Sequence, residues 1–552
     1  MSSPITLNPT AVNLHALNTQ QFTAGSSVTW SASCGSISTS GLFTAPASPG
    51  PCTVTATAST GTAYTSVATA TIDVVNYTAW KNGGGNTGAQ TDELQLNASN
   101  VNSSSFGKVW QASVDGWVNA QPLYMNGLVI NGSPHNAVFV ATSNDSVYSF
   151  DGDTGALLWQ TSLIPPGATA VPSSAVGFTS GPTQIGILST PVIDPSTNTL
   201  YVVSETSEQN ATYFPHRLHA LDATTGQEKF GGPVLISNPQ MAPLHKLQRA
   251  GLLLANGNVY VGIGSMQDRT PYNGMLFAFN ASTLTQVGVF VVTPSGDEGG
   301  VWMGGAAPAV DENGNVYVAT GNGTYDGATN FGESAIKFTP NLQLLDYFTP
   351  YNFDALNSND LDVGSGDVMV VPDQTGPYPH ELIVCGKPTP VYLLNGDNMG
   401  RVGTLSDNII QRSDNQVGVL GVNSHLLVAC MTSPAMWGQN VYFGGKWDVL
   451  KMFTLDPTTG LLSSSPTSQG TLFYGYPGAV PVVSSNGANN GIVWTIDTGT
   501  NTLVANDANN LGTVLYSGTI TGGALIWTVP TPVNGHVYAG GKNVVFAFGL
   551  TH

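Results

Sequence analysis

The sequence predicts an all-β protein, in which a small β-sandwich precedes a large β-propeller of about eight sheets, with seven as the alternative. Two observations support this. Charged residues make up only 9% of the 552 residues, whereas 65 Gly and 34 Pro interrupt the chain, which is typical of short strands joined by tight turns. From about residue 106 onward, one strand pattern recurs with a period of roughly 45–55 residues, as in propellers and solenoids.

Residues 1–76 are predicted to form the sandwich. Short segments such as 53–58 and 68–75 alternate apolar and polar side chains and are rich in β-branched residues. Cys34 and Cys52 lie in neighbouring strand-like segments, so we expect a disulfide between them and an oxidising compartment. We assign 77–105 as a linker.

Residues 106–552 carry the repeat. Each unit has an apolar strand with Pro-x-Val, a strand such as Val-Tyr-Val-Gly, and a third strand followed by Asp-x-x-Thr-Gly; the clearest copies are 147–159 and 218–226. Asp and Thr-Gly form a turn, and Trp159 is expected to wedge between neighbouring sheets. The last copy lacks an outer strand and 108–112 is an unmatched strand, so their pairing should close the ring.

Composition excludes several functions. The formal net charge is −19 with only 14 Lys and Arg, so a nucleic acid has no basic surface to bind, and anionic membranes are disfavoured. No apolar run reaches the roughly 18 residues of a membrane span.

The protein is expected to be an exported monomer that is extracellular, periplasmic or at the cell surface. Its natural precursor should have a signal peptide, and a lipid anchor is an open alternative. Cys385 and Cys430, in apolar strand-like segments, are expected to be inert core thiols.

Two resemblances follow from these motifs. The run from Thr23 to Ala58, with "TAGSSVTWSAS" and "GLFTAPASPGPCTVTATA", resembles bacterial immunoglobulin-like domains, which act as spacers or adhesion units. The pattern Asp-x-x-Thr-Gly-x-x-x-Trp is similar to the repeat of the quinoprotein, or pyrroloquinoline quinone (PQQ), propeller superfamily, and it covers 106–552. This resemblance implies a secreted bacterial propeller, but the superfamily contains both PQQ dehydrogenases and scaffolds without a cofactor.

The resemblance also implies site residues. A PQQ dehydrogenase needs an aromatic floor for the quinone, a divalent cation, a carboxylate base and a cation over the quinone oxygens. The residues at matching positions are Trp302, Asn322 and Arg249 for cofactor binding, Asp268, Asn322 and Asp362 for the metal, and Asp362 and Lys387 for catalysis.

The sequence also departs from that pattern. The metal-binding Glu expected after 259–262 is absent, and so are a vicinal Cys pair and a haem-attachment CxxCH. We therefore favour a binding module for a glycan, protein or small ligand at the propeller axis, without a cofactor. The alternatives are an alcohol or sugar oxidoreductase with PQQ and Ca²⁺, and a polysaccharide lyase. For the lyase, the base and cation would come from His216, Arg217 and His219 or from His245 and Arg249.

Overall fold

The N-terminal part is built from short strands around one small core. The computed structural model describes residues 5–58, 65–178, 181–241, 244, 246–418 and 430–551. A four-stranded sheet is accompanied by a three-stranded sheet and a two-stranded sheet, and together they enclose one core containing Phe22, Phe43 and Ile72. The strands are Leu7–Asn8, Ala11–His15, Thr19–Gln21, Thr23–Ala24, Val28–Ala32, Ser36–Ile37, Leu42–Thr44, Gly50–Ala58 and Thr65–Asp73. The predicted disulfide between Cys34 and Cys52 is confirmed, with the Cα atoms 5.6 Å apart.

From residue 76 onward, the described residues form eight antiparallel sheets. We number them in chain order and call their main strands A, B, C and D. Sheet 1 has Leu123–Ile130, Ser133–Ala141, Ser146–Asp151 and Leu157–Ser162; sheet 2 has Val192–Asp194, Thr199–Ser207, His216–Asp222 and Val234–Ile236; sheet 3 has Leu253–Ala255, Asn258–Ser265, Met275–Asn280 and Gln286–Val291; sheet 4 has Ala309–Val310, Val316–Ala319, Ala335–Phe338 and Leu344–Thr349. Sheet 5 has Val368–Val370, Glu381–Cys385, Val391–Asn395 and Gln411–Ser413; sheet 6 has Ala435–Trp437, Asn440–Phe443, Asp448–Asp456 and Ser468–Tyr474; sheet 7 has Val482–Asn486, Asn489–Asp497, Thr502–Asp507 and Asn510–Thr519.

Short additional elements extend these sheets. The additional strands are Asn76–Tyr77, Ala89–Gln90, Thr169–Pro172, Gln184–Ile185, Lys246–Leu247, Arg401–Val402 and Leu461–Leu462. The helices are Phe353–Ser358 and the 3₁₀ turns Trp80–Asn82, Ser173–Val176, Met266–Asp268, Met303–Gly305 and Val363–Ser365. Among the described residues, no helix is long and apolar enough to cross a membrane.

Sheet 8 closes the ring with strands from both ends of the repeat region. Strand A is Thr531–Val533, and His536–Leu550 supplies both B and C, since Gly549 near its end lies against His536 at its start. Strand D is Phe106–Trp117, which pairs antiparallel with the end of His536–Leu550. The predicted closure is therefore confirmed, because strands from the two ends of the repeat region complete one sheet.

The repeated aromatic residues hold neighbouring sheets together. The Tyr of the Val-Tyr pattern is buried on strand B, and its hydroxyl donates to the C–D turn of the next sheet. Tyr201 donates to Ala281 O at 2.8 Å, and Tyr442 donates to Ala508 O at 2.9 Å. On strand D, Trp159 Nε1 donates to Ala223 O of the next C–D turn at 3.0 Å, which confirms the predicted wedge.

Residues 76–93, which we call the strap, run once around the inner edges of the sheets. The strap contacts the sheets in ring order. Its carbonyl groups accept from strand A amides, as in Val310 N to Gly84 O at 2.7 Å and Val370 N to Gly85 O at 3.0 Å. The same pattern joins the strap to sheets 2, 6 and 7 through the amides of Ile193, Met436 and Val483. The segment 77–105, which we assigned as a linker, therefore packs within the ring for much of its length.

Strand direction separates two faces of the ring. The B–C loops and the D–A connections lie on one face, which we call the loop face, and the A–B and C–D turns lie on the other, the turn face. The N-terminal sandwich is bonded to the strap and to the A–B turn of sheet 8, through His15 with Asp92 O at 2.5 Å and Asn18 with Asn534 at 2.7 Å. It therefore sits on the turn face and leaves the loop face uncovered.

Candidate functional site

The predicted site residues all come from the loop face. Asp268 and Asn322 follow strand B of sheets 3 and 4, Lys387 follows strand B of sheet 5, and Trp302 and Asp362 lie in the connections before sheets 4 and 5. Because B–C loops and D–A connections share a face, side chains distant in sequence can meet there. The structure does bring most of them together, around Lys387.

Lys387 is held between two carboxylates. Its Nζ lies 2.6 Å from Oδ1 of exposed Asp360 and 2.6 Å from Oδ1 of buried Asp362. Asn322 joins the group by donating from Nδ2 to Asp360 Oδ1 at 2.9 Å. Burial alone would lower the pKa of Lys387, but Asp362 and Asp360 reverse this and raise it. The ammonium is therefore a fixed, permanently charged centre.

Two further acids complete what we call the Lys387 cluster, which comprises Asp268, Asn322, Glu333, Asp360, Asp362 and Lys387. Burial raises the pKa of Asp268 to about 6, and the charges of Asp362 and Lys387 also act on it. Burial raises the pKa of Glu333 well above its ordinary value, and Glu333 accepts from the amide of Val363 at 2.9 Å. Burial also raises the pKa of Asp362, and the nearby ammonium limits the rise. Carboxyl groups thus outnumber the one cation in this cluster.

Trp302 lies beside the cluster on a backbone cradle. A Cβ at Gly264 would lie 2.5 Å from its ring, and one at Gly321 would lie 2.8 Å from it, so only glycine permits this packing. Tyr272 packs at its side, with ring centroids 6.4 Å apart, and donates its hydroxyl to Asp268 at 2.8 Å. Trp302 is half-buried, so part of the ring surface stays accessible.

Arg249 is not part of the Lys387 cluster. It lies under the Trp302 loop, where a Cβ at Gly305 would meet its guanidinium at 2.5 Å, and its Nη1 donates to Leu188 O at 3.0 Å. Its Nη2 is buried without a hydrogen-bond partner in the described parts of the chain. Burial lowers its pKa to about 10. It is a poorly satisfied cation in the floor of the same region.

The polar groups of the Lys387 cluster are already engaged with one another, which bears on the metal and quinone that the resemblance implies. Lys387 occupies the carboxylate oxygens of Asp360 and Asp362, and Asn322 presents its amide nitrogen to Asp360. Within the described ranges, no three Asp, Glu, His or Cys side chains converge closely enough to hold a metal ion. PQQ also carries three carboxylates, which a cluster richer in carboxyl groups than in cations would repel. The arrangement therefore does not fit a Ca²⁺–quinone centre, and no chemical step is derived through one.

The candidate lyase residues are engaged in pairs within sheet 2. His216 is buried with Nε2 3.5 Å from Glu205, and Arg217 Nη1 donates to Glu208 at 2.6 Å. His219 is bonded to Ser204 and Glu228. These pairs tie the three side chains to the sheet rather than to a shared cleft, whereas His245 lies outside the described residues.

One expectation about the cysteines is wrong. Cys385 and Cys430, expected to be free core thiols, form a disulfide with the Cα atoms 5.5 Å apart. Cys385 ends strand B of sheet 5 two residues before Lys387. The bond therefore ties the base of the Lys387 loop to the segment that leads into sheet 6.

Sequence reasoning missed several side chains around the cluster. Tyr272 and Glu333 show no motif, and only the fold brings them to this place. A signal did exist for Lys446 and Trp447, because Gly-Lys follows strand B in sheet 6 as it does in sheet 5, where Gly386 precedes Lys387.

The turn face also has a cavity, of about 410 Å³, lying between sheets 4 and 5. It contains none of the predicted site residues and is lined by polar side chains and by the glycine-rich part of the strap, including Gly84, Asp311, Lys337, Asp373 and Asp397. The cavity and the Lys387 cluster are therefore separate features on opposite faces.

Comparison with known proteins supports the architecture. A PQQ-type repeat family described as outer membrane protein assembly factor BamB matches residues 99–283, less than half of the chain. No curated protein matches the chain. The match and the eight sheets together support the fold class of a PQQ-like β-propeller.

Solved structures agree with this class. The quinohemoprotein alcohol dehydrogenase from Comamonas testosteroni aligns with a TM-score of 0.61 and 14% identity, over 86% of this chain and 80% of that one. A europium-containing methanol dehydrogenase aligns with a TM-score of 0.59 and 12% identity, over 86% of this chain and 98% of that one. At such low identity these likenesses show the propeller fold and leave the chemistry open.

Proposed function

We propose that this chain is an exported binding protein with no resident cofactor. An immunoglobulin-like sandwich serves as its spacer, and an eight-bladed quinoprotein-like propeller presents a site for a neutral glycan at the Lys387 cluster. The sandwich docks on the turn face, so the site on the loop face points away from the spacer.

The observation that supports this proposal most directly is the internal neutralisation of Lys387 beside an accessible tryptophan. Since Asp360 and Asp362 already hold the ammonium, an anionic ligand finds an excess of carboxyl groups and is repelled. Sugar hydroxyls, in contrast, donate to carboxylates, and the side chain of Asp360 is 62% exposed. The partly open ring of Trp302 offers an apolar surface for the C–H groups of a sugar.

Screening the full chain on an array of neutral glycans, followed by calorimetric titration of each ligand found, tests this function. Asp360→Asn removes a charged acceptor and should weaken binding by about tenfold or more. Asp397→Asn, an exposed aspartate on the turn face that is bonded to His380, is the matched control and should bind as the parent does. Absence of binding to every neutral glycan would contradict the proposal, as would equal loss in both variants.

A second candidate rests on Arg249. The Lys387 cluster does not fit the quinone, but Arg249 lies outside that cluster, and a buried guanidinium with an unsatisfied Nη2 under the Trp302 loop suits a carboxylated ligand. The oxidoreductase alternative therefore requires PQQ to bind at Arg249. Titration with PQQ and CaCl₂, followed by tryptophan fluorescence and by dye reduction with alcohols and sugars, separates the two candidates. If PQQ binds at micromolar concentration and Arg249→Met abolishes this binding, the oxidoreductase is favoured. If PQQ does not bind, the binding module is the only candidate that remains.

A further inference from the structure

Three aromatic side chains border the Lys387 cluster on the loop face. Trp447 follows strand B of sheet 6, and Tyr476 and Trp527 lie in the connections before sheets 7 and 8. Trp447 is 39% exposed and Tyr476 is 45% exposed. We call these three residues the aromatic rim.

The rim is rigid. Lys446 Nζ lies 4.2 Å from the centroid of the Trp447 ring and 5.4 Å from that of Tyr476, and Lys446 itself is buried. The rings of Tyr476 and Trp527 meet edge to face at 5.9 Å, and Trp527 Nε1 donates to Met431 O at 2.7 Å. Rings fixed in this way lose little conformational entropy when a ligand stacks on them.

Both tryptophans of the rim have strained backbones. Trp447 has φ 51° and Trp527 has φ 57°, in the left-handed region that bulky side chains rarely adopt. Each such residue costs about 1–3 kcal/mol, and strain of this kind concentrates at ligand-binding positions. The local fold thus keeps two large rings at the surface where a relaxed backbone would be more stable.

The rim is continuous with the proposed glycan site. A Cβ at Gly304 would lie 2.7 Å from Ser365 O and 3.5 Å from Trp527 Cδ1, so the loops that bear Trp302, Asp362 and Trp527 converge at one point. The charges of Lys387, Asp362 and Asp360 act on the hydroxyl of Tyr476. An object larger than one sugar that occupies the cluster would therefore extend over the rim.

We infer that the aromatic rim is a second set of subsites, and that the ligand is a neutral oligosaccharide whose first sugar lies at the Lys387 cluster and whose following sugars stack on Trp447, Tyr476 and Trp527. This inference rests on the proposed function and specifies its ligand. Sugar rings present polarised C–H groups on one face, which pack against the negative face of an aromatic ring, while their hydroxyl groups remain at the edge for polar partners. A polyuronate is disfavoured because Asp360 and Asp362 already hold the ammonium of Lys387.

Chain-length dependence tests the inference on the full protein. The probes are disaccharide and hexasaccharide pairs of the neutral cello-, malto- and chito-series, measured by calorimetric titration. At least one hexasaccharide should bind about tenfold or more tightly than its disaccharide, because only the longer chain reaches the rim. Trp447→Ala and Tyr476→Ala should remove that advantage without changing disaccharide affinity.

Phe230→Ala is the matched control. Phe230 is also exposed, has a positive φ of 56° and carries a lysine over its ring at 5.3 Å, but it lies in the C–D turn of sheet 2 on the turn face. The Phe230→Ala variant should bind the disaccharide and the hexasaccharide as the parent does. Equal affinity for short and long chains, or rim variants that keep the long-chain advantage, would overturn the rim inference while the glycan site stands. No binding of any probe would overturn both.

Discussion

At the scale of single residues, burial sets the direction of the pKa shift of two carboxyl groups, Glu381 and Asp362. Glu381, at the start of strand B of sheet 5, is fully buried, and in the described structure neither carboxyl oxygen has a hydrogen-bond partner. Burial raises its pKa from 4.5 to about 7. Asp362 is raised for the same reason despite the adjacent ammonium of Lys387. With 33 acids and only 14 Lys and Arg, the chain has fewer than one such cation for every two acids.

Glu381 should make stability depend on pH. The folded protein retains a proton that the unfolded chain releases near pH 4.5, so stability should fall as pH rises from about 4.5 to 7 and then level off. Glu381→Gln should remove this fall. At pH 8 the free energy of unfolding of the variant should exceed that of the parent by on the order of 1–3 kcal/mol, whereas at pH 4.5 the two should differ little. Urea unfolding across this range measures the effect. Exposed Glu312→Gln is the control, and parallel curves for Glu381→Gln and the parent would contradict the prediction.

At the scale of elements, the repeated turn makes room for the repeated tryptophan. Gly226 closes the C–D turn of sheet 2 with φ 71°, and a Cβ there would lie 2.6 Å from the Trp159 ring of sheet 1. Gly155 and Trp110 repeat the arrangement between sheets 1 and 8, with a corresponding distance of 2.8 Å. The glycine of the Thr-Gly pair is thus required for two reasons: the backbone is left-handed there, and the neighbouring sheet lies too close for a Cβ.

Gly226→Ala should therefore destabilise the protein by more than the positive φ angle alone explains. Gly231 is the matched control, since its φ is 73° and nothing lies within 4 Å of its would-be Cβ. Gly231→Ala should lower the free energy of unfolding by about 1 kcal/mol, and Gly226→Ala by about 2 kcal/mol more, because its Cβ would clash with Thr161 Oγ1 and with the Trp159 ring. Chemical unfolding compares the two, and combining Gly226→Ala with Trp159→Phe should recover part of the difference. Equal costs at both glycines would show that the ring contact is unimportant.

At the scale of the whole molecule, the strap holds the inner edges of the ring. It accepts amides from strand A of sheets 2, 4, 5, 6 and 7. It also buries Lys81, whose ammonium bonds Ser433 and Pro434 O beside Asp367, and burial lowers the pKa of Lys81 to about 7. Exposed amides on inner strands would otherwise face the ring centre unpaired.

Removing the strap should destabilise the propeller far more than removing the sandwich. A chain of residues 74–552 should unfold cooperatively close to the temperature of the full chain. A chain of residues 94–552 loses at least the five backbone hydrogen bonds to A strands, about 5 kcal/mol or more, and its midpoint should fall by more than about 10 °C. Differential scanning calorimetry compares them, and a synthetic peptide of residues 76–93 should restore part of the loss. Similar midpoints for both truncated chains would contradict a stabilising role.

Much of the fold was predictable because its signals are local. Period-two alternation, the Asp-x-x-Thr-Gly turn and the unmatched strand at 108–112 each depend on a few consecutive residues, and the ring closure they predicted is confirmed. The strap was not predictable, since Gly84 and Gly85 have no strand pattern and their carbonyl groups find partners on strand A of sheets 4 and 5 only in the assembled ring.

The site was predicted in part, for a related reason. The resemblance indicated Asn322, Asp362 and Lys387. In the structure Lys387 contacts Asp362 directly and is linked to Asn322 through Asp360. The resemblance also included Arg249, which lies apart from these residues. The disulfide between Cys385 and Cys430 escaped prediction because 45 residues separate the two cysteines and no motif links them.

By itself, the sequence determined the repeat, its turn chemistry and the acidic character of the chain. Only the tertiary structure decided that Lys387 is neutralised between two aspartates, that an aromatic rim borders it, and that 76–93 lines the ring. Side-chain alternation and turns follow from neighbours along the chain, whereas charge pairing and burial depend on which distant segments the closed ring brings into contact.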